Sequence, residues 1–139
     1  MSVARLWFAR IVMVYAALIF SFLAFLYMLE PLEHIAGFGV SSSGTPEAIN
    51  FMRAGPGALF AGMALTAYLG LARPKLLRPC LAVIVLFNGC IVAGRLLGIV
   101  VDGVTPMQLT ELRDEGVSWL FFLAALVLYP TENSNADRA

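Results

Sequence analysis

"CIVAGRLLGIVVDG", residues 90–103, decides how the chain is read. It is almost wholly apolar, yet Arg95 sits inside it. At the centre of a bilayer an arginine costs about 2.5–3.5 kcal/mol, and less nearer the interface. The stretch is the far half of a longer apolar run, "CLAVIVLFNGCIVAGRLLGIVV", residues 80–101. A bilayer core of about 30 Å takes roughly 20 apolar helical residues, and this run meets that length. The chain therefore reads as a membrane helix that carries an arginine, and the question is what the arginine meets.

The rest of the chain repeats the pattern. "IVMVYAALIFSFLAFLYML", 11–29, and "AGPGALFAGMALTAYLGLA", 54–72, are also long enough to span. "GVSWLFFLAALVLY", 116–129, is short, but reaches spanning length if its helix begins near Pro106 and carries "MQLTELRDE" into the membrane. Composition agrees: of 139 residues, 60% are hydrophobic and 13% charged, against roughly 45–50% and about 25% in ordinary soluble domains. The expected fold is all-α, an integral membrane four-helix bundle. One domain covers residues 1–130, with helices at about 6–30, 46–72, 79–101 and 106–129. A polar tail, 131–139, is expected to be disordered.

Local chemistry sets the helix ends. Thr45-Pro46-Glu47 and Thr105-Pro106 each offer an N-cap followed by a proline at the first helical position. Pro74, Pro79 and Pro130 punctuate the other ends. The first apolar run exceeds the about 7–15 residues of a signal-peptide core and lacks a clear cleavage site, so it reads as a retained span. Arg5 and Arg10 precede it, and Arg73, Lys75 and Arg78 fill the second loop. The opposite loops carry Glu30, Glu33, Glu47, Asp102 and Asp114. The excess of bases on one side predicts that both termini are cytoplasmic.

Alternating spans place several polar residues at one depth. At about 1.5 Å per residue, Arg95 lies about 9 Å below the outer end of the third helix, Glu111 about 8 Å and Glu115 about 14 Å down the fourth, and Arg53 about 10 Å down the second. Tyr27 and Glu30 end the first helix near that layer. Helical phase puts Asn88, Arg95 and Asp102 on one stripe, and Glu111, Asp114, Glu115 and Ser118 on another. A carboxylate can hold an arginine through two parallel hydrogen bonds, so Arg95 is expected to meet Glu111 or Glu115, with Arg53 neutralising the layer. The candidate charge cluster or ligand site is Arg53, Arg95, Glu111, Glu115, Glu30, Tyr27 and Asn88. Three readings stay open for Arg95: snorkelling to headgroups, a structural ion pair, or a binding site. Gly55, Gly57, Gly62, Gly94 and Gly98 are expected to let helices approach closely. Pro56 is expected to kink the second helix, and the glycine- and serine-rich stretch 34–45 to form a lid or connector over the charged layer.

Other classes are excluded or unsupported. Nine basic and nine acidic residues give no excess charge for nucleic acid. No metal-ligand or catalytic constellation stands out, and His34 is the lone histidine. Cys80 and Cys90, ten positions apart on one helix, are too distant for a disulfide.

The "LEP" near the end of the first span, "RAGPGALFAGMAL" in the second, "GRLLGIVVDG" in the third and a glutamate in the fourth together resemble the DoxX-like group of small four-helix bacterial membrane proteins. The resemblance covers most of residues 10–129. It implies a multi-pass protein of the bacterial inner membrane with no assigned reaction, some relatives being accessory subunits of quinone-linked oxidase systems and others acting in membrane-protein assembly. The expected function is a non-catalytic accessory subunit or assembly factor of a larger membrane complex, electron-transfer complexes among the candidates, with membrane lipid and other subunits or further copies as partners and no cofactor. The alternative is a protein that binds a quinone, another small molecule or a lipid headgroup in the charged layer. An open cleft at that layer favours the alternative, and a closed ion-pair core favours the subunit.

Overall fold

The computed structural model describes residues 3–37, 41 and 44–129. The expected disordered tail, 131–139, lies outside the described residues, as does most of the glycine- and serine-rich part of the expected lid. Among the described residues the regular structure is helical throughout, with no strand. The helices are α1 (Val3–Leu29), α2 (Pro31–Ala36), α3 (Pro46–Met52), α4 (Ala58–Ala72), α5 (Leu77–Asp102) and α6 (Pro106–Leu128). A π-turn, Arg53–Gly57, joins α3 to α4, and a 3-10 turn, Pro74–Leu76, leads into α5. Among the described residues three helical rods are long and apolar enough to cross a membrane: Val3–Leu29, Pro46–Ala72 and Pro74–Asp102. Helix α6 has 23 residues, but Glu111, Arg113, Asp114 and Glu115 in its first half set its composition apart.

Two helices, α3 and α6, start on a side-chain cap. Thr45 accepts the Ala48 N–H at 3.3 Å, with Pro46 in the first helical position. Thr105 and Gln108 form a reciprocal capping box: Thr105 Oγ1 accepts from the Gln108 N–H at 3.2 Å, and Gln108 Oε1 accepts from the Thr105 N–H at 2.9 Å. Gly103 follows α5 at φ 96°, a conformation that side chains rarely adopt, and this lets the chain reverse within three residues into α6.

Two details go beyond the expected helices. The segment after α1 does not go straight into loop: Pro31 opens the short α2, and Pro31 and Ile35 are buried. At Pro56 the second rod carries a π-turn. The proline has no N–H to donate and its ring crowds the carbonyl four residues back, so the backbone widens by one residue, and the Ala58 N–H reaches back five positions to the Arg53 carbonyl.

Packing follows from small residues. The buried stripe of α1 is Ala9, Val12, Met13, Ala16, Ala17, Phe20 and Ala24, at helical spacing. It lies mainly against α4, whose buried Ala64, Ala67 and Gly70 leave room for it. Helix α4 also packs on α5, α5 on α6, and α6 back on α1. Phe20 sits where these meet: its ring centroid is 6.2 Å from Phe60, 6.0 Å from Phe87 and 6.4 Å from Phe122, one ring from each of the other long helices. Outward-facing positions are apolar as well. Leu18, Leu65, Leu86, Val100 and Val127 are all well exposed, a surface suited to lipid rather than to water.

Candidate functional site

Helix α5 brings Arg95 against α6. Its Nε donates to Glu115 Oε2 at 3.0 Å, and its Nη2 donates to Glu115 Oε1 at 2.9 Å and to Glu111 Oε2 at 3.3 Å. Glu111 and Glu115 are one turn apart on α6, so a single guanidinium spans both. The Arg95 and Glu111 side chains are 31% exposed and that of Glu115 22%, so the group is half sealed. Two turns deeper, Asn88 is 5% exposed and donates from Nδ2 to the Glu115 carbonyl at 3.0 Å. This fixes the register of α6 beside the ion pair. Tyr27, on α1, lies within electrostatic reach of Arg95, Glu111 and Glu115. Its ring is edge-on to His34 at 4.5 Å and stacks on Phe60 at 5.6 Å.

The structure does not bring Arg53 or Glu30 into this group. Arg53 is exposed and donates from Nε to the Met28 carbonyl at 2.8 Å. That carbonyl belongs to the last turn of α1, where C=O groups lack helical partners and the helix dipole favours a cation. The layer is therefore not balanced two against two: one arginine faces two glutamates. Glu30 is exposed at the junction of α1 and α2, and its side chain caps nothing.

The glycines divide in the same way. Gly57 is close-packed: a Cβ there would lie 3.0 Å from Met28 Cγ. Gly55, Gly62 and Gly94 would meet nothing within 4 Å, and Gly98 only Asp102 Oδ2 at 3.7 Å. Among the described residues these four mediate no close helix contact. Tight contacts fall at two glycines the spacing did not single out. A Cβ at Gly70 would lie 2.6 Å from Met13 Cε and 3.0 Å from Cys80 Cβ, and one at Gly89 2.9 Å from Trp119 Nε1.

Gly94 and Gly98 instead floor an open cleft of about 290 Å³ lined by Ile91, Gly94, Arg95, Gly98 and Gln108. Its polar groups are donors. Arg95 spends Nε and Nη2 on the glutamates, which leaves Nη1 unengaged among the described residues. Gln108 spends Oε1 on its own helix cap, which leaves Nε2. Gln108 was not singled out as a site residue. The available signal was its place three residues after Thr105, the capping-box spacing, which brings its side chain back to the helix start. Among the described residues no three His, Cys, Asp or Glu side chains converge as metal ligands. Chemically, the cleft suits a polar group with acceptor oxygens attached to something apolar.

A family model described as a domain of unknown function, DUF4345, matches residues 8–125. The chain belongs to the DUF4345 family. The DUF4345 match runs from the first turns of α1 almost to the end of α6, so it contains the ion pair, Asn88 and the whole cleft. No curated protein and no solved structure matches the chain. The DUF4345 description carries no function and no link to the DoxX-like group.

Proposed function

We propose that this DUF4345 protein is a non-catalytic, four-span protein of the bacterial inner membrane that holds the polar head of a lipid-soluble molecule, a lipid or a quinone, in the cleft beside Arg95. The observation that carries the reading is the open cleft itself, with unspent donors on Arg95 and Gln108 and bare backbone at Gly94 and Gly98. A purely structural ion pair gains nothing from such an opening, and a snorkelling arginine does not clasp a carboxylate on the next helix. Helix α6 is the fourth span. Its charges count against insertion when taken singly, but Glu111 and Glu115 bond Arg95, and Arg113 bonds Asp114 at 2.7 Å. With Arg5, Arg10, Arg73, Lys75 and Arg78 on one side, both termini lie in the cytoplasm and the cleft in the outer half of the membrane. Kinship with DoxX-like proteins belongs to the same proposal and rests on the shared segment pattern.

The test is purification in mild detergent, followed by mass spectrometry of the small molecules that co-elute. One class of lipid-soluble molecule enriched over its share of the membrane supports the reading. A co-eluting pool that matches bulk lipid contradicts it. A second reading, an accessory or assembly subunit of a larger membrane complex or a homo-oligomer, is favoured by Gly55 and Gly62, whose open faces on the second rod would admit a partner helix. A stoichiometric membrane protein in the same eluate, or a second copy of this chain, would support it.

A further inference from the structure

We infer that the occupant of the Arg95 cleft is a zwitterionic headgroup, a phosphate joined to a cationic amine. This rests on the reading of the cleft as a ligand site, and it follows from the balance of charge around it. The cleft offers two donors for oxygen, Arg95 Nη1 and Gln108 Nε2. That would suit a phosphate, but the surroundings oppose a bare anion. Arg95 is the lone cation in the cleft wall, and two carboxylates already bond it. A third, Asp102, lies beside the cleft one turn beyond Gly98, with Oδ2 3.7 Å from the position a Gly98 Cβ would take. The next arginine on α6, Arg113, is bonded to Asp114 and does not offset them.

Three carboxylates against one guanidinium leave local negative charge. Like charge brought into such a site costs several-fold to many-fold in affinity. An uncharged ring would escape the repulsion, yet it would make no use of Asp102 or of the second oxygen of Glu111, neither of which accepts a hydrogen bond among the described residues. A zwitterion satisfies both ends. Its phosphate oxygens take the Arg95 and Gln108 donors, and its amine faces Asp102 and Glu111. The exposed Leu97, Val100 and Val101 on the same part of α5 then offer an apolar surface to the acyl chains.

The experiment uses the full chain, delipidated in neutral detergent and titrated by native mass spectrometry with four probes. These are dioleoyl phosphatidylethanolamine, dioleoyl phosphatidylcholine, dioleoyl phosphatidylglycerol and decylubiquinone. The two zwitterions are expected to bind about tenfold more tightly than the glycerol lipid, the scale of an unpaired like charge. The exposed Asp102→Asn substitution should narrow that gap, and Gln108→Leu should weaken the zwitterions about threefold to tenfold, the scale of one lost hydrogen bond. If phosphatidylglycerol or the quinone binds best, or Asp102→Asn leaves the ratio unchanged, the zwitterion is wrong while the cleft remains a ligand site. If none of the four binds saturably, the cleft is not a ligand site and the inference falls with it.

Discussion

Arg95 and Glu115 lie on successive helices and meet side-on: Nε and Nη2 of the guanidinium bond the two carboxylate oxygens at 3.0 and 2.9 Å. This is the two-pronged geometry that a lysine cannot reproduce. Glu111, held by one bond at 3.3 Å, is the junior partner.

That ranking makes the first prediction. Arg95→Met leaves Glu111 and Glu115, two carboxylates one turn apart on α6, without their shared cation. For a fully buried pair, one-sided removal costs about 3–5 kcal/mol, and exposure of 22–31% of these side chains lowers that toward about 1–3 kcal/mol. Adding Glu115→Gln should restore more of the melting temperature in detergent than adding Glu111→Gln. Equal rescue by the two, or none by either, contradicts the ranking.

Arg53 should behave as a separate element. Removing its bond to the Met28 carbonyl takes a cation from the end of α1 and should cost about 0.3–1 kcal/mol. In a double-mutant cycle, Arg53→Met and Glu111→Gln should be additive within about 0.5 kcal/mol. A larger coupling energy would return Arg53 to the charge cluster.

Asn88 ties α5 to α6 from a buried position. Interhelical hydrogen bonds of this kind average about 0.6 kcal/mol in membranes and reach about 1.7. Asn88→Ala should lower stability in detergent by that amount or somewhat more, since a small void is added. An unchanged melting temperature would show that the bond to the Glu115 carbonyl does not hold α6 in register.

The pairing of Arg95 with α6 was legible in the sequence because depth and helical phase both follow from residue number once the helix ends are known, and Thr105, Pro106 and Pro79 mark those ends. Other features depend on how each helix is rotated against its neighbour, which no single-helix pattern contains. Gly89 matters because Trp119 reaches across to the Val85 carbonyl at 3.2 Å; Gly94, in an equally suggestive GxxxG spacing, faces open space. Phe20, Phe60, Phe87 and Phe122 converge for the same reason. Charge balance alone points Arg53 to carboxylates, whereas its partner is a backbone carbonyl at a helix end.

The two glycines make that contrast measurable. Gly89→Ala puts a methyl group 2.9 Å from the Trp119 ring nitrogen and should cost about 1–3 kcal/mol. Gly94→Ala meets nothing and gains helix propensity of up to about 1 kcal/mol. Thermal melts of the two variants should move in opposite directions. A melt in which Gly94→Ala is the more damaging would place a neighbour against Gly94 that the fold does not supply.

The central claim is that the cleft beside Arg95 holds a lipid-soluble molecule, and Gly94, which lines it, offers a place to fill it. Gly94→Leu projects a side chain into open space on the cleft floor. The direct measurement is native mass spectrometry of the wild-type and Gly94→Leu proteins, purified identically in mild detergent, with their delipidated melting temperatures compared. The account predicts that the wild type carries a defined small-molecule adduct, that Gly94→Leu loses it, and that the delipidated Gly94→Leu melt is no lower than that of the wild type. An adduct retained at equal occupancy by a folded Gly94→Leu protein would contradict it.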